Sequence, residues 1–390
     1  MFLFAAIAGT HAQVVNVATS PWIADTAAVF SDPIDNWAKD PSVIKYGNTF
    51  YMYFTSANPW PPDGGIGPSR IDYATSPDGM KWTYKGVAIP RGDSGTWNEE
   101  RSQAPSKPML KDGIWYMFFA GARFGKAPMV GYATSTNLVN WTEFKSNPMI
   151  ANAKWNDPFL YLENGIYYLS YNDNIEAIWY LTSTNLKDWD TTKAIRTDAV
   201  GEGNIIFKDN GKYMRFGATG HSHVGEYYHS AYSDNMVNFT KVGKITMNIP
   251  TWASGAFGHG DIIQNGNEYW FYFQGTRNNG VIFQIGLARQ KIETTHSRKT
   301  GSLAFAEPTI VAQKFPNGYS FLLPGSASNT SPYSVSILSP AGQDVFKFTN
   351  STSSRLFWNT SKGEYAEGLY ILKAQMPDKS VLSKQVMISR

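Results

Sequence analysis

The 390-residue sequence contains no cysteine. Disulfides, thiolate metal sites and cysteine nucleophiles are therefore excluded, and stability has to come from core burial, which a chain of this length permits. The net charge of +3 is small and by itself decides nothing about a polyanionic partner, but there is no long Lys/Arg run. That second absence argues against nucleic acid. No apolar stretch approaches the length of a bilayer span, so no membrane span is expected. The apolar start Met1-Phe-Leu-Phe-Ala-Ala-Ile-Ala-Gly-Thr-His-Ala12 is too short for one. It reads as the h-region of a secretory signal peptide, residues 1–12 with Ala12 last before cleavage, although the usual positive n-region is missing. An apolar N-terminal strand is the other reading.

What the chain does have is aromatic residues, at 15% of the total. Aromatics suit strands and the stacking faces of sugar sites, which leans towards an all-β carbohydrate-active protein. They recur in a pattern. A Gly followed by alternating aromatics appears as Gly47-Asn-Thr-Phe-Tyr-Met, Gly113-Ile-Trp-Tyr-Met, Gly165-Ile-Tyr-Tyr-Leu, Gly211-Lys-Tyr-Met and Gly266-Asn-Glu-Tyr-Trp-Phe. Each reads as a hairpin turn in which Gly supplies positive φ. A Ser followed six residues later by an aromatic appears at Ser76/Trp82, Ser135/Trp141, Ser183/Trp189 and Ser233/Phe239. Each unit thus reads strand, hairpin, strand, loop, strand, turn, strand. Four strands repeated radially make a β-propeller blade, and five units predict an all-β, five-bladed β-propeller over 26–293.

Residues 294–315 read as a polar linker, and 316–390 as a small C-terminal β-sandwich built from short alternating strands at 319–323, 333–338, 356–358, 368–374 and 381–388. The C-terminal segment has no His and few catalytic groups, so an accessory or sorting role is expected there.

The opening position of the five repeats is occupied by Asp40, Ala104, Asp157, Glu202 and His259. In a propeller the innermost strand of each blade lines the axial channel, so this column predicts a cluster of three carboxylates at one mouth. Two carboxylates flanking a bond, as acid and base, are the machinery of glycoside hydrolysis. A third raises the pKa of the acid and orients it. An isolated Asp-Pro is only a turn signal; three acids in one converging column are more than that.

The set Asp40-Pro, Ala104-Pro, Asp157-Pro, Glu202-Gly and Gly258-His259-Gly resembles the five-bladed propeller glycoside hydrolases, most closely glycoside hydrolase family 43. The resemblance covers about two-thirds of the chain. It implies that Asp40 is the general base activating water, that Glu202 is the general acid, and that Asp157 tunes and orients the acid. It also implies inversion, with the two outer carboxyls roughly 6.5–9.5 Å apart. His259 would lie near a Ca2+ ion in the channel, in a site built largely from water; a hydrogen-bonded His without metal is the other reading. Two positions depart from the family pattern. Gln103-Ala-Pro-Ser-Lys107 stands where Trp-Ala-Pro and an acidic residue are usual, and Glu202-Gly-Asn where Glu-Gly-Pro is usual.

Specificity is expected from loops at the mouth. The substrate-binding candidates are Trp60, Trp97, Arg101, Trp155, His221 and Arg277, with Glu99 beside them. The loop carrying His221 and His223 lacks a clear third metal ligand and reads as a polar substrate loop. The C-terminal run Val335-Ser-Ile-Leu-Ser-Pro-Ala-Gly-Gln-Asp-Val, with Trp358, Gly368-Leu-Tyr-Ile-Leu and Lys384-Gln-Val-Met-Ile, looks like the sorting domain of type IX secretion substrates. That resemblance implies a bacterial protein, exported or held at the cell surface, with a contact to the secretion machinery. The expected function is a secreted inverting glycosidase of oligo- or polysaccharide from plants or algae, releasing arabinofuranosyl or xylosyl units as a monomer. The alternatives are a retaining fructosyl hydrolase or other propeller glycosidase, and a non-catalytic carbohydrate-binding propeller.

Overall fold

The computed structural model describes residues 16–57, 67–123, 125–151, 155–173, 177–198, 200–218, 228–276, 282–292, 311–315, 318–322, 333–339, 343–351, 355–360, 365–366, 368–375 and 381–388. The chain divides into two units, Met1–His296 and Ser297–Arg390. The expected signal peptide at 1–12 lies outside the described residues, as does most of the expected linker.

The first unit is a five-bladed propeller of antiparallel blades, with blades one and two joined by a parallel bridge between Ser69 and Arg101. Blade one comprises Ala38–Tyr46, Thr49–Ala57, Ser69–Ser76 and Thr83–Ile89. Blade three comprises Trp155–Glu163, Ile166–Asp173, Ala177–Ser183 and Ile195–Asp198; blade four, Glu202–Asp209, Lys212–Ala218, Tyr228–Ser233 and Thr240–Lys244. In blade two the innermost strand is broken. Arg101–Gln103 and Met109–Lys111 both pair with Ile114–Ala122, which is followed by Met129–Ser135 and Thr142–Glu143.

Both sequence landmarks have a local cause. The hairpin glycines Gly47, Gly113, Gly165, Gly211 and Gly266 all take positive φ, the conformation that a tight hairpin demands and that Gly adopts without a Cβ penalty. The recurring Ser is a turn cap. Ser135 Oγ accepts the N–H groups of Asn137 and Leu138 at 3.1 and 3.0 Å, and Ser183 Oγ does the same for Asn185 and Leu186. The following Asn accepts the next two amides in turn. Such side chains mimic a backbone turn. They press Leu138 and Leu186, both 0% exposed, into the hydrophobic core with φ of 64°.

Blade five holds Ala256–Asn265, Glu268–Thr276 and Gln284–Lys291. Its outer strand comes from the other end of the unit: Ile23–Ala24 and Phe30–Ser31 both pair with Gln284–Lys291. The last repeat lacks the Ser turn because its fourth strand is supplied from the N-terminus, which closes the ring. The propeller therefore begins before the expected boundary at residue 26, since Trp22 and strand Ile23–Ala24 belong to it. Trp22 is fully buried, edge-on to Phe216 and Phe271.

The second unit has two antiparallel sheets. One joins Val311–Phe315, Gly318–Leu322 and Arg355–Asn359; the other joins Asp344–Ser351, Tyr333–Leu338, Gly368–Gln375 and Val381–Ile388. They share one hydrophobic cluster, with Phe321, Leu356 and Trp358 from the first meeting Val335, Ile337 and Leu372 from the second. Strand Val311–Phe315 shortens the expected linker of 294–315, because its backbone is taken up by pairing with Gly318–Leu322. Asp344–Ser351 is an additional strand, paired with Tyr333–Leu338.

Candidate active site

The innermost strands do more than line a channel. Each is interrupted at one point. The register shifts between Lys39 and Ser42 in blade one, Asn156 and Phe159 in blade three, Glu202 and Ile205 in blade four, and Gly258 and Gly260 in blade five. Blade two breaks its strand at the equivalent place. The residues at these points take positive φ: Asp40 at 51°, Ala104 at 50°, Asp157 at 52°, Gly203 at 67° and His259 at 34°. A bulge bends its strand and re-aims a side chain, and here it turns one residue per blade towards the axis.

One member of the column needs correcting. In blade four the backbone equivalent is Gly203, and Glu202 precedes it. A Cβ at Gly203 would meet the Cα and Cδ2 atoms of His259 at 3.0 Å each, so any side chain there crowds His259. The carboxylate hangs from the residue before, where the longer Glu side chain still reaches the axis.

The three carboxylates meet on one imidazole. His259 Nδ1 lies 2.7 Å from Asp40 Oδ1 and 3.7 Å from Asp157 Oδ1, and its Nε2 lies 3.5 Å from Glu202 Oε2. All four side chains are largely buried. Asp40 is tied down further. Its N–H donates to Gln274 Oε1 at 2.8 Å, and its Oδ2 accepts the Thr55 hydroxyl at 2.6 Å. That hydroxyl in turn accepts the Ala104 N–H at 2.8 Å, so blade two contributes a backbone donor where it has no acid. Asn172 Nδ2 donates to Asp157 Oδ2 at 3.2 Å, and Tyr228 O–H to the His259 carbonyl at 2.8 Å.

These contacts divide the titration behaviour of the group. Burial pushes the Asp40 carboxyl up, but the charge and contact of His259, with Lys39 and Thr55, outweigh it and leave Asp40 below its ordinary value. Burial also pushes Asp157 up; His259 opposes this, Glu202 and Asp40 reinforce it, and Asp157 reaches about 7. Burial disfavours the charged form of His259, yet Asp157 and Asp40 hold it well above its ordinary value, as an imidazolium. One acid is thus kept ionised and a neighbour is poised near neutrality, the separation that acid–base chemistry requires.

A cavity of about 40 Å3 lies at this cluster, lined by Asp40, Asp157 and His259 together with Ser42, Lys107, Asn204 and Asp261. The donor atoms of Asp40, Asp157 and His259 lie within 4.8 Å of one another, close enough to ask whether calcium fits. Calcium takes six to eight oxygens at 2.3–2.6 Å. Here one of the three donors is a nitrogen engaged with Asp40 at hydrogen-bond distance, and the cavity already holds the His259 and Lys107 cations. These residues offer two carboxylate oxygens and one nitrogen, so water would have to supply most of the oxygens a calcium ion takes.

The substrate-binding candidates fare unevenly. Trp97 packs against Phe119 at 5.3 Å between ring centroids, with its indole N–H donating to Glu143. Its ring lies over Gly121 and Gly131, so blade two uses it as packing. Glu99 pairs with Arg123 and accepts the Gly95 N–H. Arg101 opens the inner strand of blade two beside Glu100, at 3.5 Å, three residues ahead of Ala104. Trp155 begins the inner strand of blade three, with its side chain outside the described residues; Trp60, His221, His223 and Arg277 lie outside them altogether. Sequence reading missed Thr55, Gln274, Asn172, Lys107 and Asp261. Thr55, Asn172, Gln274 and Asp261 sit in strands, where alternation is their one signal, and Lys107 sits in the gap that breaks the inner strand of blade two.

A five-bladed propeller with buried carboxylates converging at its axis is an arrangement suited to glycoside hydrolysis, and this chain is a glycoside hydrolase. Residues 30–280 match the family described as Glycosyl hydrolases family 43, and the chain belongs to that family. No curated protein matches it by sequence. Among solved structures it is similar to a thermostable family-43 glycoside hydrolase (15% identity, TM-score 0.56, 68% of this chain and 94% of the other). It is similar also to the GH43_1 enzyme from Xanthomonas citri complexed with xylose (15%, 0.56, 68% and 90%). A third is Zg3597, a family 117 glycoside hydrolase from the marine bacterium Zobellia galactanivorans (17%, 0.53, 71% and 92%). At these identities the likeness establishes the fold.

Proposed function

We propose that the chain is an inverting glycosidase that releases arabinofuranosyl or xylosyl units from plant or algal polysaccharide. Asp40 acts as the base that deprotonates the attacking water, Glu202 as the acid that protonates the leaving oxygen, and Asp157 as the group that tunes and orients the acid. The observation that carries this reading is that Asp40 and Glu202 approach opposite nitrogens of the His259 ring. Inversion requires the two carboxylates to stand roughly 6.5–9.5 Å apart, with a water between them, and their approach to different nitrogens of one ring agrees with two separate roles. A base held ionised by His259 and Thr55 suits its role down to acidic pH. The Xanthomonas citri enzyme was solved with xylose, which agrees with a pentose at the site.

The test is Glu202→Gln on aryl arabinofuranosides and xylosides. Hydrolysis should fall by about 10²–10⁴-fold or more, while binding by calorimetry persists. NMR of the wild-type product should show the inverted anomer first. Unchanged turnover in the variant overturns the assignment of the acid, and a retained anomer overturns the mechanism.

We further propose that the second unit is an export or surface-sorting domain, on the strength of its closing strands Gly368–Gln375 and Val381–Ile388. Fused behind a periplasmic carrier in a host with a type IX system, residues 297–390 should bring the carrier to the surface or medium. Retention of the fusion in the periplasm refutes it.

A further inference from the structure

Three of the axial interruptions share one contact. Lys107 follows Ala104 by three residues, in the gap that breaks the inner strand of blade two between Pro105 and Pro108. Its ammonium reaches into the axial cavity, 2.8 Å from Asp261 Oδ1 and 3.0 Å from the Ile262 carbonyl oxygen. Asp261 follows His259 by two residues in blade five. Its other oxygen accepts the Val43 N–H at 2.8 Å, and Val43 follows Asp40 by three residues in blade one. One buried carboxylate therefore joins the strand segments just below Asp40, Ala104 and His259. Blades two and five are not ring neighbours, since blade one stands between them, so this contact reaches across the channel.

The three residues above the contact take positive φ without being glycine. Such conformations persist only where the surroundings over-determine them. Asp261 is 1% exposed and its side chain would be an uncompensated buried charge without the ammonium.

We propose that Lys107 and Asp261 form a positioning pair that fixes Asp40 and His259 relative to Glu202. The pair touches no substrate; it acts through the Val43 amide and the blade-five backbone. The Ser-Lys that stands in place of an acidic residue after Ala104-Pro105 thus has a role of its own. The inference rests on the roles proposed for Asp40 and Glu202.

The test is steady-state kinetics on whichever aryl glycoside the wild type turns over, with Lys107→Met, Lys107→Arg and Asp261→Asn. Lys107→Met should lose at least about tenfold in kcat with KM within about twofold, because geometry at the reacting centre is lost and binding at the mouth is not. Lys107→Arg should recover most of that loss. A folded Lys107→Met with wild-type kcat overturns the proposal, as does a kcat loss that Lys107→Arg leaves untouched. If Lys107→Met does not fold, Asp261→Asn, which keeps an acceptor for the Val43 amide, carries the test: reduced kcat at unchanged KM supports the pair, and wild-type kcat refutes it. Failure of the underlying reading is separable, since then Asp40→Asn and Glu202→Gln would themselves leave turnover intact.

Discussion

Asp157 is the residue whose environment costs the fold most openly. An unfolded Asp ionises near 3.8, and in the folded protein burial and two neighbouring acids push Asp157 to about 7. Between those values the unfolded chain has released a proton that the folded chain retains. Folding stability from this group therefore falls as pH rises through that window, and the loss is complete above about 7. His259 has the same sign: its raised value adds stability at low pH that disappears as pH rises through it. Asp157→Asn should thus raise Tm at pH 8, with the gain shrinking towards pH 4, while kcat falls. For a domain of this size, about 1 kcal/mol corresponds to roughly 2–4 °C. Differential scanning at the two pH values decides it, and a gain that is larger at pH 4 contradicts the assigned cause. The conflict between charge and burial at this residue is what a functional site retains at the expense of stability.

At the scale of the element, the bulge is what converts a strand into a catalytic support. A regular strand alternates its side chains between faces, and the residue opening each repeat would point into the sheet stack with its neighbours. The extra residue with positive φ re-aims it. The alternating aromatics, the hairpin glycines and the Ser-capped turns were legible from the sequence because each is a local signal with a local cause. The bulge at Asp40-Pro41 or Asp157-Pro158 was legible only as a turn signal, and the one at Gly203 was read one residue early. A column defined by side chains and a column defined by backbone coincide in four blades and part in the fourth, where Glu202 reaches past a glycine. Gly203→Ala should therefore damage the site directly. Its Cβ would meet His259 at 3.0 Å and its φ of 67° would be strained, costing about 1–3 kcal/mol. A lowered urea midpoint together with a fall in kcat is the expected result; a variant that matches wild type in both would show that His259 can move freely.

At the scale of the whole molecule, the ring has to be closed, and it is closed by the N-terminal strands on blade five. Trp22 secures that closure: it is 0% exposed, its indole N–H donates to the Val17 carbonyl at 3.0 Å, and its ring meets Phe216 of blade four and Phe271 of blade five. Trp22→Ala should cost about 3–5 kcal/mol, read as a drop in the denaturation midpoint. A change below about 1 kcal/mol would mean that the ring closes without it.

The sequence by itself determined the repeat, the blade count, the acids at Asp40, Asp157 and Glu202 and the histidine at His259. Periodicity and turn chemistry are local, and a five-fold repeat can be counted without coordinates. Tertiary structure decided that the three carboxylates share the His259 imidazole, and that Trp97 serves the packing of blade two. It also decided that Lys107, between Ser106 and Pro108, lies 2.8 Å from an aspartate more than 150 positions away. Those outcomes depend on which strands the ring brings face to face across its axis. Distance across a channel is not written in spacing along a chain.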